Sequence, residues 1–252
     1  MDTSFKNYKI SFGAGVTPLI KQEIRVINPI EIERTIKKQF GTDCDFKDNK
    51  TLAAGTYYAL NILKSAAKKF GLPFDAVPPS IRVYNPMELV RHEDVKFGFC
   101  TAQKEKVMKK NPEFEPRSIF IKNISDNIDS WNAKVESWYD KHIVSSDHFL
   151  APFLHELLHN IHLNLLFERS PKYGLTNAIY MANTSFSYQQ NRVIADKIGT
   201  YARTSKMELF PEVLAKNIAE SLDITGKEVV SNPLSKLKEM PKYVREFIED
   251  QL

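Results

Sequence analysis

Apolar residues recur at helical spacing from Thr51 to Phe70, where Leu52, Ala59, Leu60, Leu63, Ala66, Ala67 and Phe70 fall along one stripe. Gly71 and Pro73 follow as stop signals. A shorter helix is predicted over Pro29 to Phe40, and the polar stretch Asp43 to Asn49 reads as a loop or boundary. Pro78 and Pro79 mark a turn, after which Ile81 to Tyr84 alternates as a strand does. Lys96 to Thr101 and Ser118 to Lys122 are two further strands, and Asp129 to Ile143 is a helix. Ser145, Ser146 and Asp147 offer N-caps for an apolar helix from His148 to Glu168, which Ser170-Pro171 and Tyr173-Gly174 end. Helices over Ser187 to Ile198, stopped by Gly199, and over Ser205 to Leu222 come next. The tail from Thr225 holds a short amphipathic helix after Pro241. The pattern predicts an α+β fold: an N-terminal extension over 1–50, a main domain over 51–223 and a helical tail over 224–252.

Charge changes this picture little. The chain has 252 residues, 35 basic and 31 acidic, for a net charge of +4. The densest basic run, Lys104 to Lys110, includes a Glu and no aromatics, and reads as a solvated loop or helix face. Nothing here points to nucleic acid. Cys44 and Cys100 stand far apart, so neither a disulfide framework nor a cysteine metal site is expected. The opening MDTSFKNYKI lacks the apolar stretch of a secretory signal. The most apolar window, Phe149 to Phe167, contains three His, one Glu and two Asn, too polar for a membrane span. The expected location is the cytoplasm, or outside the cell by export without a visible signal peptide.

That same window carries the chemistry. His155-Glu156-Leu157-Leu158-His159 has the H-E-x-x-H form. Residues four apart on a helix stand one turn above each other, so the two imidazoles converge on one ion. Glu156 lies ~100° around the helix, close enough to take a proton from a water that zinc has acidified. Ionisable side chains among Phe153, Leu154, Leu157, Leu158 and Ile161 are costly unless paired or bound to metal. A pair of histidines on an amphipathic helix is the plainer explanation, and the buried context disfavours it. His162 rises ~10.5 Å above His155, too far to share its ion, and is expected to be structural. A third histidine ligand of the metzincin kind would need Gly at 162 and His at 165, where this chain has His162 and Leu165. The third ligand is then an acidic side chain: Glu168, Asp196, Glu208, Glu212 or Glu220. Glu168 continues the same helix and cannot curl back. Glu208 and Glu212, four apart, suit a ligand and a carboxylate that orients a ligand histidine. Ser205 to Glu208 also reads S-x-x-E, so Glu208 has an equally good explanation as part of a capping box.

The segment Tyr201-Ala202-Arg203-Thr204, with Glu208 and Glu212 at fixed distance after it, resembles the anthrax lethal factor catalytic domain. In looser form it is similar to the Pro-Pro endopeptidases. The likeness covers roughly Leu52 to Leu222 but rests strictly on this segment and the H-E-x-x-H. It implies a zincin-like fold, with a small twisted sheet before the active-site helix and a later helix carrying a Glu ligand. It further implies one zinc ion per chain, held by His155, His159 and Glu208, with Glu212 behind them. Glu156 would be the general base, and Tyr201 would donate a hydrogen bond to the oxyanion. Phe97, Gly98, Phe99, Cys100 and Thr101 would form the edge strand that pairs with an extended substrate. The expectation is a zinc-dependent endopeptidase acting on a peptide or protein substrate. The rival expectations are an inactive zincin-like domain used for binding or assembly, and a metal-free domain with a chance motif.

Overall fold

Helix boundaries in this chain follow local chemistry. In the computed structural model, which describes residues 27–70, 77–84, 97–100, 117–167, 192, 196–204 and 208–223, helix α1 spans Pro29–Phe40 as predicted. Asn28 caps it by accepting from the Ile30 N–H at 3.1 Å, and Pro29 takes the first position, where its missing N–H is no loss. Gly41 closes it at φ 76°, its N–H donating to Lys37 O at 2.9 Å. The apolar positions Ile32 and Ile36 are fully buried.

Strand β1 then runs over Asp43–Asp45, inside the stretch expected to be a loop. Its Asp-Cys-Asp sequence has no apolar alternation. The pairing comes from β2, Ser80–Tyr84, which lies parallel to it with Cys44 opposite Ile81. Residues 29–45 of the expected extension therefore share the core and sheet of the main domain. Helix α2 spans Lys50–Phe70, opened by the Asn49 side chain, which accepts from the Leu52 N–H at 2.9 Å.

Strand β3, Gly98–Cys100, and β4, Ile119–Lys122, complete a four-stranded sheet of order β1-β2-β4-β3. β2 and β4 are parallel, while β3 runs antiparallel to β4 at the sheet's end, with Phe99 opposite Phe120. Both predicted strands are present; Phe97 and Ser118 fall just before them, and Lys96 and Thr101 lie outside the described residues. Helix α3, Ile128–Asp140, starts at the Asn127 cap, which accepts from the N–H groups of Asp129 and Ser130.

Helix α4 spans Ala151–Phe167 and begins three residues later than predicted. A start at His148 would put Pro152 beyond the first turn and cost an internal hydrogen bond. With Ala151 first, Pro152 sits where no N–H is needed. Ser145 and Ser146 are thus not caps of α4; Ser146 Oγ accepts from the His148 N–H. Residues 151 to 162 are all buried, as befits a helix enclosed on every side. On one flank α2 comes close enough that a Cβ on Gly55 would lie 2.3 Å from the Phe153 ring. Phe153 in turn packs edge-on against Phe97 at 4.8 Å and Trp131 at 6.1 Å. Along another flank lies α5, Leu209–Asp223, which starts four residues after its predicted beginning.

These helices and a small, mainly parallel sheet agree with the α+β expectation. No helix among the described residues is long and apolar enough to cross a membrane. The basic run at 104–110, most of the predicted helix over 187–198 and the C-terminal tail lie outside the described residues. The α2–α4 contact gives a direct test. Gly55→Val adds volume where the Phe153 ring is already held by two aromatic neighbours, so it should cost at least ~2 kcal/mol of stability, read by urea denaturation.

Candidate metal centre

Helical rise places His155 and His159 one above the other, with ring centroids 4.6 Å apart and planes at 81°. Glu208 reaches them from the start of α5. Its carbonyl accepts from the Glu212 N–H at 3.0 Å, so Glu208 stands at the N-cap position, not at the third helical position of a capping box. Pro211 falls in the first turn of α5, where it costs no hydrogen bond. Glu208 Oε2 lies 3.0 Å from His155 Nε2 and 3.1 Å from His159 Nε2. One ligand atom from each of the three lies within 4.8 Å of the others, so the group can hold a metal ion.

The donor set fits a small divalent ion. Bonds of 2.0–2.2 Å to a tetrahedral ion put neighbouring ligand atoms roughly 3.3 Å apart. The observed 3.0 and 3.1 Å need only a small outward movement to admit one. Two imidazoles and a carboxylate are also the usual donors of zinc. Among the other candidate ligands, Asp196 is exposed and 3.9 Å from Arg192, away from the cluster. Glu168 and the side chain of Glu220 lie outside the described residues. His148 and His162 are buried and stacked on Phe149 and Phe210, in structural positions.

Glu212 holds His155 from behind. Its Oε1 is 2.9 Å from His155 Nδ1, close but poorly aligned as a hydrogen bond, and this favours the tautomer whose Nε2 is free to ligate. Glu212 Oε2 accepts from the Ser145 N–H at 2.9 Å, and Ser145 Oγ donates to Glu212 O at 2.9 Å. Ser145 reads from sequence as a helix cap; no local signal shows that it grips a carboxylate 67 residues away.

The electrostatics follow from burial. Burial alone would pull His155 towards the neutral form, but contacts with Glu208 and Glu212 outweigh it and raise its pKa well above the usual value. Burial would likewise raise Glu208, yet the adjacent His159 and the hydrogen bonds from both histidines hold its carboxyl below the ordinary range. In the metal-free site a proton on His155 supplies positive charge to the cluster.

Glu156 is only 4% exposed, and its Oε2 has no hydrogen-bond partner among the described residues. Burial raises its pKa, against the opposing pull of His155 and His159. It lies beneath β3. A Cβ on Gly98 would sit 3.3 Å from Glu156 Cγ and Cδ and 2.8 Å from Phe120 O, so only glycine lets the strand come this close. Glu156 also faces a cavity of about 30 Å³, shared with Phe97, Trp138, Pro152, Tyr201 and Ala215. Tyr201 lies on the short 3-10 turn Tyr201–Arg203, its ring 5.7 Å from that of His155. Burial, then the nearby carboxylates, push its phenol upward, so it stays a proton donor at neutral pH. The turn is held by the loop after α3: Thr200 N–H donates to His142 O at 2.7 Å and Tyr201 N–H to Ile143 O at 2.9 Å.

Of the expected edge strand, Phe97 is buried in the aromatic cluster, Gly98 lies over Glu156, Phe99 and Cys100 form β3, and Thr101 is outside the described residues. No protein-family model, curated protein or solved structure matches the chain.

The geometry sets two expected results. Elemental analysis of the chain supplied with zinc should find about one ion per chain, with a clear loss in Glu208→Ala. Because the raised His155 is protonated in the metal-free site at neutral pH, loading should release about one proton per ion, and retention should weaken as pH falls. Calorimetry in buffers of different ionisation enthalpy measures that release.

Proposed function

We propose that the chain is a zinc-dependent endopeptidase of zincin-like fold, with one zinc ion held by His155, His159 and Glu208. The observation that carries this reading is the arrangement around the three-ligand group. A buried carboxylate with an unpartnered oxygen, Glu156, and a protonated phenol, Tyr201, line the same cavity. The resemblance to the lethal factor and Pro-Pro endopeptidase-like metallopeptidases supports the same assignment residue by residue.

Bound zinc supplies a Lewis acid that polarises a carbonyl and lowers the pKa of water. The chain's own groups supply the rest. Glu156, with its proton affinity raised by burial, takes a proton from the attacking water and passes it to the leaving amine nitrogen. Tyr201 donates its phenolic hydrogen to the oxyanion that forms at the scissile carbonyl. Glu212 keeps His155 oriented, and Ser145 keeps Glu212 in place. The end strand β3, paired only with β4 among the described residues, offers its outer edge to an extended peptide beside Glu156.

Purified protein incubated with a diverse peptide library should yield chelator-sensitive cleavage products by mass spectrometry. Glu156→Gln should abolish cleavage with metal content unchanged. Tyr201→Phe should lower kcat by roughly 10²-fold, as removal of one oxyanion donor does. Cleavage by Glu156→Gln at the wild-type rate would refute the mechanism.

A further inference from the structure

A second, smaller cavity also borders Glu156. It has a volume of about 10 Å³ and lies among α2, β2, β4 and α4, walled by Ile81, Ile119, Ile121, Phe153 and Leu157. Among the described residues, the polar side chains lining it are Glu156 from α4 and Thr56 from α2. Thr56 is 2% exposed, and its Oγ1 has no hydrogen-bond partner among the described residues. A threonine inside a helix usually bonds back to the carbonyl four residues earlier; here that bond to Leu52 is not made. Two side chains from different helices, each with an enclosed polar atom that has no partner among the described residues, therefore border one small space. Leaving such a group unsatisfied away from water is costly. The space is at the lower limit for one water, ~10–15 Å³, and a water there has a polar group to bond at either end.

We propose that Thr56 is a positioning residue for Glu156, acting through one buried water that bridges Thr56 Oγ1 and Glu156 Oε2. Glu156 borders both cavities. The water donates to Oε2 and bonds the threonine hydroxyl, which fixes the turn of the carboxylate about its last bond. The other oxygen is then presented to the cavity that also holds Tyr201. Among the described residues, the apolar walls of the smaller cavity leave no other side chain there to hold the carboxylate. This role rests on the reading of Glu156 as the general base.

The test compares crystal structures of the full-length wild type, Thr56→Val and Thr56→Ser with peptide-cleavage kinetics of the same three proteins. Valine matches threonine in shape and removes only the hydroxyl; serine keeps it. Wild type and Thr56→Ser should show an ordered water within ~3.2 Å of both atoms. Thr56→Val should lack it, with the Glu156 carboxylate rotated and metal content unchanged. Thr56→Val should lower kcat about 10-fold with KM unchanged, and Thr56→Ser should retain most of the rate. A wild-type cavity without the water, a carboxylate unmoved in Thr56→Val, or an unchanged kcat in that variant each overturns the proposal. If wild type cleaves no peptide, the peptidase reading fails on its own, and the crystallographic comparison alone then decides whether Thr56 anchors Glu156.

Discussion

Three carboxylates, Glu156, Glu208 and Glu212, are gathered with two imidazoles in the seam between two packed helices. Negative charge at such density is not stable away from water unless positive charge joins it. The rest of the site follows from that requirement. It brings the start of α5 against the middle of α4, raises the proton affinity of His155 and depresses that of Glu208. A divalent ion held there would meet the same need, because it would draw three ligand atoms to one point. An ion held by the three would therefore tie the start of α5 to α4, adding to the apolar packing between them.

The parts of the site differ in how local they are, and so in how readable they were. His155, Glu156 and His159 lie within a single helical turn and a half, so spacing alone brings them together. Glu208 is brought in by tertiary packing, and the residues themselves left it among five acids with a capping role as an equal explanation. The helix begins at Leu209, which makes Glu208 the residue before it and removes the capping-box explanation. Ser145, Gly98 and Thr56 were not recognisable for what they contact. Their partners, Glu212, Glu156 and the smaller cavity, are distant in sequence, and serine, glycine and threonine have ordinary local uses.

The same distinction holds for the fold. Helices with strong apolar stripes and caps, such as α1 and α2, matched prediction closely. β1 did not, because a strand made of Asp-Cys-Asp is specified by its neighbour rather than by its own side chains. The start of α4 was misplaced because several good cap residues precede it. Pro152, which restricts where a helix can begin, decided the matter.

The loop from His142 to Ser145 holds two things at once. Its carbonyls at His142 and Ile143 fix the turn that carries Tyr201, and Ser145 grips Glu212 behind His155. The phenol and His155 thus share one mount. When that loop shifts with temperature or with mutation elsewhere, both groups move in the same direction, and their separation changes less than the position of either. Alignment across the cavity is in this sense self-correcting, and it is achieved by common attachment rather than by rigidity of the whole domain.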